Sequence, residues 1–321
     1  MSIEFTIGVD PKTELSSIAK VGVKTVYCGY SNEILNKKYP LPFCTVNGRG
    51  EDASFEDKES FIKFAENAKK NNISINVTFN VPYMKEQYKD ILDAVNFVSQ
   101  FESVKGIIVS DIGLLLRLKQ INYKKNIIIS VISNIFNSSV IKYYECFGAN
   151  EFIFPKQIKI QEIISILNNN PNTKFEVFLL FGNCLCIEGF CSFGHCAEKK
   201  RTEMFNPNHR SSNCGILIES VINNSYEKEN GNINKVSQKE ILDVITHGCN
   251  LCYINKLKNY SDRITYKIIS RGMNFLDNMP SYIKLIKSLE NGTDIDSKNV
   301  YKKIFGTECN ENGCYISDNI S

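Results

Sequence analysis

The sequence is short of the features that would settle its function quickly. It has only three histidines, His195, His209 and His247, and no HExxH pair, which excludes a helical zinc-protease site. No stretch approaches the roughly 18 consecutive apolar residues of a spanning helix. The opening MSIEFTIGVDP has an acid at position 4 where a secretory signal would be basic, and lacks a long apolar region. These absences predict a cytoplasmic protein without a membrane span. A basic tract is missing too: the net charge is +3, and lysines and arginines are interleaved with acids, so nothing points by itself to nucleic acid. Without long low-complexity blocks, and with 43% hydrophobic and 23% charged residues, the chain has the composition of a globular protein with a full core.

Cysteine, in contrast, is abundant, at 12 residues. In a reducing compartment such a chain more often binds metal or does redox chemistry than carries a disulfide framework. Four of the thiols, Cys184, Cys186, Cys191 and Cys196, directly follow the apolar run EVFLLF, with Gly182, Gly189 and Gly194 to turn the backbone between them. Isolated thiols such as Cys28 and Cys146 read as small buried hydrophobes.

Along the chain, short apolar or β-branched runs alternate with helical patterns. Strands are expected at 5–9, 25–30, 73–79, 106–109, 126–131, 151–154, 174–180 and 264–269. Helices are expected at 13–21, 55–70, 86–101, 112–121, 139–147 with Ser138 as N-cap, 161–168, 238–246, 273–277 and 281–290. The loop 31–52, with Cys44, Pro40, Pro42, Gly48 and Gly50, is too long for a simple connector. Eight strands joined by helices predict parallel pairing and closure into an α/β (β/α)8 TIM-like barrel, with a cysteine-rich insertion after the seventh strand. An open doubly wound sheet is the alternative. The expected organisation is one barrel domain over 1–295, including the insertion 182–260, and a polar tail over 296–321. In either architecture ligands gather at the carboxyl ends of the strands, where Cys184, Asp111, Asn80 and Pro155 fall.

Metal binding needs thiolates brought together in space. Cys184 and Cys191 form a hairpin-like pair whose turn Gly189 relieves, and Cys214 and Cys252, later in the insertion, can each return to the same mouth. Widely separated cysteines of this kind fit a [4Fe-4S] cluster. Zinc uses the same ligands but favours two close CxxC pairs, and Cys249 with Cys252 has that form. Both metals stay open at this point.

The residues Glu176-x-Phe178 followed by Cys184-x4-Gly189-x-Cys191 resemble the signature of the collagenase-like peptidase family of unassigned catalytic type. Val26-Tyr27-Cys28-Gly29 is similar to its VYxG strand, and Arg49 with Phe55 to its arginine-containing loop. Asn80 matches its strand-ending Asn, Val109-Ser110-Asp111 its VSD turn, and Lys267 to Arg271 its KIEGR strand. The likeness covers about residues 5–275. It implies a barrel fold and, since the family includes iron–sulfur proteins of oxygen-independent ubiquinone and RNA hydroxylation, a [4Fe-4S] cluster held by Cys184, Cys191, Cys214 and Cys252. It also offers peptidase activity and a non-catalytic iron–sulfur or zinc subunit as alternatives. The other thiols, Cys44, Cys186, Cys196 and Cys249, have no assigned role.

Departures from the family pattern are informative. Phe181, Gly182 and Asn183 replace its Gly-Ser/Ala-Leu/Met, Gln157 stands where it has an acid after Pro155-Lys156, and Ile269-Ser270 replaces Glu-Gly. The resemblance implies a small oxygen donor such as prephenate, with Arg49, Lys156, Lys267 and Arg271 as groups to grip its carboxylates. Arg49, Asp111 and Arg271 are the expected catalytic residues, although Asp111 also reads as a cap for the helix at Ile112. A small-molecule substrate and a heterodimer with a related chain are the expected partners.

Overall fold

The computed structural model describes residues 3–31, 33–39, 46–47, 54–182, 187–190, 248–269, 278–309 and 314–315, with only the backbone of 33, 34 and 36. Nine strands alternate with helices in these segments: β1 (Phe5–Gly8), β2 (Thr25–Tyr30), β3 (Ser54–Phe55), β4 (Ser74–Phe79), β5 (Val104–Val109), β6 (Asn126–Ile129), β7 (Glu151–Ile153), β8 (Lys174–Leu180) and β9 (Ile264–Ile268). The sheet order is β1-β9-β8-β7-β6-β5-β4-β2-β3, and β1 also pairs with β2. That last pairing closes eight parallel strands into a ring and leaves β3 as a two-residue appendage on β2. The fold is a (β/α)8 barrel, and the open-sheet alternative falls because β1 bonds to neighbours on both sides.

The helices are α1 (Leu15–Ala19), α2 (Glu33–Lys38), α3 (Lys58–Lys70), α4 (Tyr88–Ser99), α5 (Ile112–Gln120), α6 (Ser138–Glu145), α7 (Ile160–Asn169), α8 (Tyr253–Lys256), α9 (Met279–Lys287) and α10 (Asp294–Phe305). Each of the longer ones buries one apolar stripe against the barrel, as Phe61, Phe64, Ala65 and Ala68 of α3 do. Between α3, α4 and the strands, Tyr30, Phe55, Phe61 and Phe97 pack ring on ring, with Phe61 and Tyr30 centroids 5.1 Å apart. Burial of side chains this large contributes about 1.5–3 kcal/mol each, which makes the layer between barrel and helices the main source of stability.

Several expectations shift. Phe55 belongs to β3, and α3 starts after its N-cap Asp57, whose carboxylate accepts the Ser60 N–H at 2.7 Å. For α6 the cap is Asn137, which accepts the Ser139 and Val140 N–H groups, and Ser138 is the first helical residue. Part of the expected tail is helical: α10 has a capping box between Thr293 and Asp296 and ends at Gly306 with φ +74°, burying Val300 and Tyr301. Cys28 is buried as expected, but Cys146 is exposed, because it follows α6 on the outside of the molecule and donates its thiol to the Lys142 carbonyl. The expected helices 238–246 and 273–277 lie outside the described residues. No described helix is long and apolar enough to cross a membrane.

Candidate functional site

Strand register decides which side chains face the barrel axis, since neighbours in register lie on the same side of the sheet. Lys267 of β9 reaches across to Glu176 of β8 at 2.6 Å and sits 3.6 Å from the centre of the Tyr27 ring of β2, so all three point inward. Phe178 is in register with Lys267, Thr6 with Lys267, Asn76 with Tyr27, and Ile153 with Glu176. The inward set therefore includes Thr6, Tyr27, Asn76, Thr78, Asn80, Ser130, Glu176, Phe178 and Lys267. This lumen is polar where many barrels are filled by branched aliphatic side chains.

Charges in that lumen come as pairs. Glu176 is fully buried and Lys267 nearly so. A second pair forms nearer the carboxyl end, where Lys156 meets Glu188 and both side chains are only 1% exposed. Lys156 Nζ also lies 5.0 Å from the centre of the Phe178 ring. Charges this deep persist because each has an opposite partner. Both lysines expected to grip an anion are thus already matched by carboxylates. Asn80 Nδ2 donates to Ser130 Oγ at 3.0 Å, joining β4 to the end of β6. Glu176 Oε1, Thr6 Oγ1 and Thr78 Oγ1 are buried without a hydrogen-bond partner among the described residues, which leaves the lumen spare acceptor capacity. At its amino-terminal end Glu151 is pushed up to about 7, first by burial and then by the neighbouring Glu176 charge, against the opposing pull of Lys174 and Lys267.

Asp111 has a different occupation from the one expected of a catalytic acid. Its Oδ1 accepts the Leu114 N–H at 2.6 Å and the Tyr88 hydroxyl at 3.0 Å, which caps α5 and ties it to α4. Tyr88 is in turn covered by the Arg117 guanidinium, 3.6 Å from its ring centre.

The cysteine segment leaves the end of β8 through two consecutive left-handed residues, Phe181 at φ +67° and Gly182 at φ +62°. Phe181 stands where the family pattern has Gly, and it keeps this conformation because its ring is buried against Tyr282 and Phe305. The chain returns at the same point: Phe181 N–H donates to the Gly248 carbonyl at 2.7 Å, Asn250 N–H to Leu179 at 2.8 Å, and Asn250 Nδ2 to Phe178 at 3.1 Å. Cys252, two residues beyond Asn250, is the N-cap residue of α8, so the backbone brings it back toward the carboxyl end of β8, from which the segment that carries Cys184 departs. Gly189 proves to be needed for close approach instead of for turning. A Cβ there would sit 2.1 Å from the Ile132 carbonyl oxygen of the loop after β6.

Cys184, Cys191, Cys214, Arg49 and Arg271 lie outside the described residues, as do Cys44, Cys186, Cys196 and the three histidines. Among the described residues no three His, Cys, Asp or Glu side chains are placed to hold a metal ion. The sequence reading missed two groups that the barrel brings together. Glu188 could have been suspected as an acid inside the cysteine signature. Tyr315 had no signal, yet its hydroxyl donates to the Phe181 carbonyl at 2.5 Å and its ring meets Phe178 edge-on.

Among curated proteins, the chain is 24% identical over 128 residues to tRNA hydroxylation protein P of Escherichia coli (strain K12), and 24% identical over 123 residues to the protein of that name from Haemophilus influenzae. Those matches cover 40% and 38% of this chain but only 27% and 26% of the relatives, so the chain matches about a quarter of their length. Among solved structures, the U32 peptidase Mk0906 has a TM-score of 0.45 at 10% identity, with 84% of this chain and 93% of that chain covered. An uncharacterized B. cereus protein has a TM-score of 0.41 at 10% identity, with 87% and 64% covered. The model of peptidase family U32 matches residues 12–275, which span the barrel from α1 past β9, and the chain belongs to that family.

Proposed function

We propose that the chain is an iron–sulfur protein of the oxygen-independent hydroxylase type, working at the carboxyl-end mouth of the barrel on a small substrate. Cys184, Cys191 and Cys214 are its cluster ligands in this reading, and Cys252 is the fourth thiol that the family resemblance offers. The observation that carries it is that the chain leading into Cys252 bonds to the end of β8, Phe181 N–H to the Gly248 carbonyl and Asn250 N–H to the Leu179 carbonyl, where the cysteine segment departs. Two curated relatives named for tRNA hydroxylation point the same way. A [4Fe-4S] cluster, when bound, would supply electron transfer or an iron site for an oxygen donor.

The chain's own residues supply the surroundings. Tyr27 and Phe178 exclude water from the lumen, and the Lys267–Glu176 and Lys156–Glu188 pairs fix charge around it without adding net charge. Because those lysines are neutralised, Arg49 and Arg271 are the groups left to bind a donor's carboxylates. Asp111 acts by holding α5. The net charge of +3 favours a small molecule over a large RNA, a related chain is the proposed partner, and a reducing, cytoplasmic location suits the thiolates. The family's name favours a second reading, peptide hydrolysis.

Iron and acid-labile sulfide, measured on protein purified without oxygen, test the proposal. About four of each per chain are expected, falling to background in Cys184→Ser/Cys191→Ser. Wild-type protein without iron would refute it, and peptide cleavage by that iron-free protein would establish the hydrolase instead.

A further inference from the structure

Between Cys184 and Cys191 the chain dips into the barrel mouth at residues 187–190. Glu188–Phe190 forms a single 3-10 turn, in which the Phe190 N–H donates to the Ile187 carbonyl at 2.9 Å. The Glu188 carboxylate meets Lys156, from the loop after β7, and both side chains are only 1% exposed. Gly189 lies so close to the loop after β6 that a Cβ there would fall 2.1 Å from the Ile132 carbonyl oxygen and 2.3 Å from Asn134 Nδ2. Asn134 is itself left-handed, at φ +54°, and ends the short turn Val131–Ser133 from which Ile132 presents that carbonyl. The turn before Cys191 is thus held twice, by a charge at the end of β7 and by close packing against the loop after β6.

A carboxylate and an ammonium this deep are costly to bring in from water, and an apolar pair of similar volume is often as stabilising. What the ion pair adds is direction. Moving the turn by one residue would set Ile187 or Gly189 opposite the ammonium. Lys156, whose Nζ lies 5.0 Å from the centre of the Phe178 ring, would then be buried without the carboxylate that neutralises it. The same slip would push a side chain into the space that Gly189 leaves open against Ile132. Both contacts therefore select one register for the turn.

We propose that Lys156 is a positioning residue for the cysteine segment: through Glu188 it locks the register of the turn that precedes Cys191, and so fixes where that thiol is delivered relative to the end of β8. This work differs from gripping a substrate anion, for which the ammonium is already neutralised. The purpose of the lock, to hold a cluster ligand in place, rests on the function proposed above, whereas the lock itself does not. Groups that orient a metal ligand from behind govern how firmly the metal is kept. Loosening the turn should therefore speed metal loss while leaving the barrel folded, because β7 and β8 pair through residues 151–153 and 174–176 without Lys156.

Amide hydrogen exchange of the full chain, purified without oxygen and read by mass spectrometry, tests the lock. Residues 187–190 should be protected in the wild type, a readout that requires no variant to fold. In Lys156→Met their exchange should rise on the order of a hundredfold while β4 and β5 stay unchanged. Gly189→Ala should act in the same direction through the other contact, and Lys156→Arg, which keeps the charge, should stay close to wild type. Iron loss to a chelator is the second readout: it should be faster in Lys156→Met and Gly189→Ala and return to the wild-type rate in Lys156→Arg. Unprotected 187–190 in the wild type, or wild-type protection in Lys156→Met, would overturn the lock. Lost protection in Lys156→Met with iron release at the wild-type rate would overturn its role in positioning the ligand. A wild type without iron that keeps the exchange pattern would refute the cluster and leave the lock standing.

Discussion

Glu176 of β8 and Glu151 of β7 respond to the barrel in different ways. Glu176 and Lys267 satisfy each other in the lumen, so removing one charge strands the other. Glu176→Ala should cost about 3–5 kcal/mol in denaturant unfolding, whereas Glu176→Gln/Lys267→Met, which removes both charges at similar volume, should recover most of it. Equal stability of the single and double variants would show that the pair does not matter. Glu151 behaves differently, because its folded-state pKa, at about 7, lies above the value of 4.5 that it has when free. Below 4.5 it is protonated in both states. As the pH rises toward 7 the unfolded chain gives up this proton first, so the stabilisation is lost across that window. Unfolding free energy should therefore fall between about pH 4.5 and 7, by up to about 3 kcal/mol from this group. Glu151→Gln should flatten that slope, and a variant with an unchanged pH profile would contradict the environment described for it.

Among the elements, the end of β8 shows a conflict between backbone and packing. Phe181 adopts a left-handed conformation that costs a non-glycine residue about 1–2 kcal/mol, and its ring is completely buried. Truncating a buried Phe costs about 3–5 kcal/mol. Phe181→Gly, which restores the family residue, should therefore lower stability by about 2 kcal/mol, because lost burial exceeds relieved strain. A stabilised variant in thermal unfolding would reverse that order. The elements were largely legible in the sequence: all eight barrel strands stand out by alternation, since parallel strands buried on both faces read as apolar runs separated by helices. What escaped had physical reasons. A two-residue strand such as β3 is below any periodicity, and α10 was hidden by its polar composition, although Thr293, Asp296 and Gly306 carry its start and stop signals. The buried pairs could not be read at all. Glu176 and Lys267 are 91 positions apart and meet only because β8 and β9 are neighbours in the closed ring.

At the scale of the whole molecule, closure of the barrel places β8 and the Cys249–Cys252 turn at one mouth, where the cysteine segment also begins and ends. Asp111, Lys156 and Lys267, which sequence reasoning set aside for ligands, are held by structural partners, whereas Glu188 joins from inside the cysteine signature and Tyr315 from a segment without an obvious functional signal. The central claim, that the mouth carries a [4Fe-4S] cluster bound by the signature cysteines, is tested most directly by electron paramagnetic resonance of anaerobically purified, dithionite-reduced protein. The account predicts a low-temperature signal of a reduced [4Fe-4S] cluster in the wild type and in Cys146→Ser, whose thiol is exposed, and none in Cys191→Ala. A wild-type chain that gives no such signal and contains no iron would contradict it.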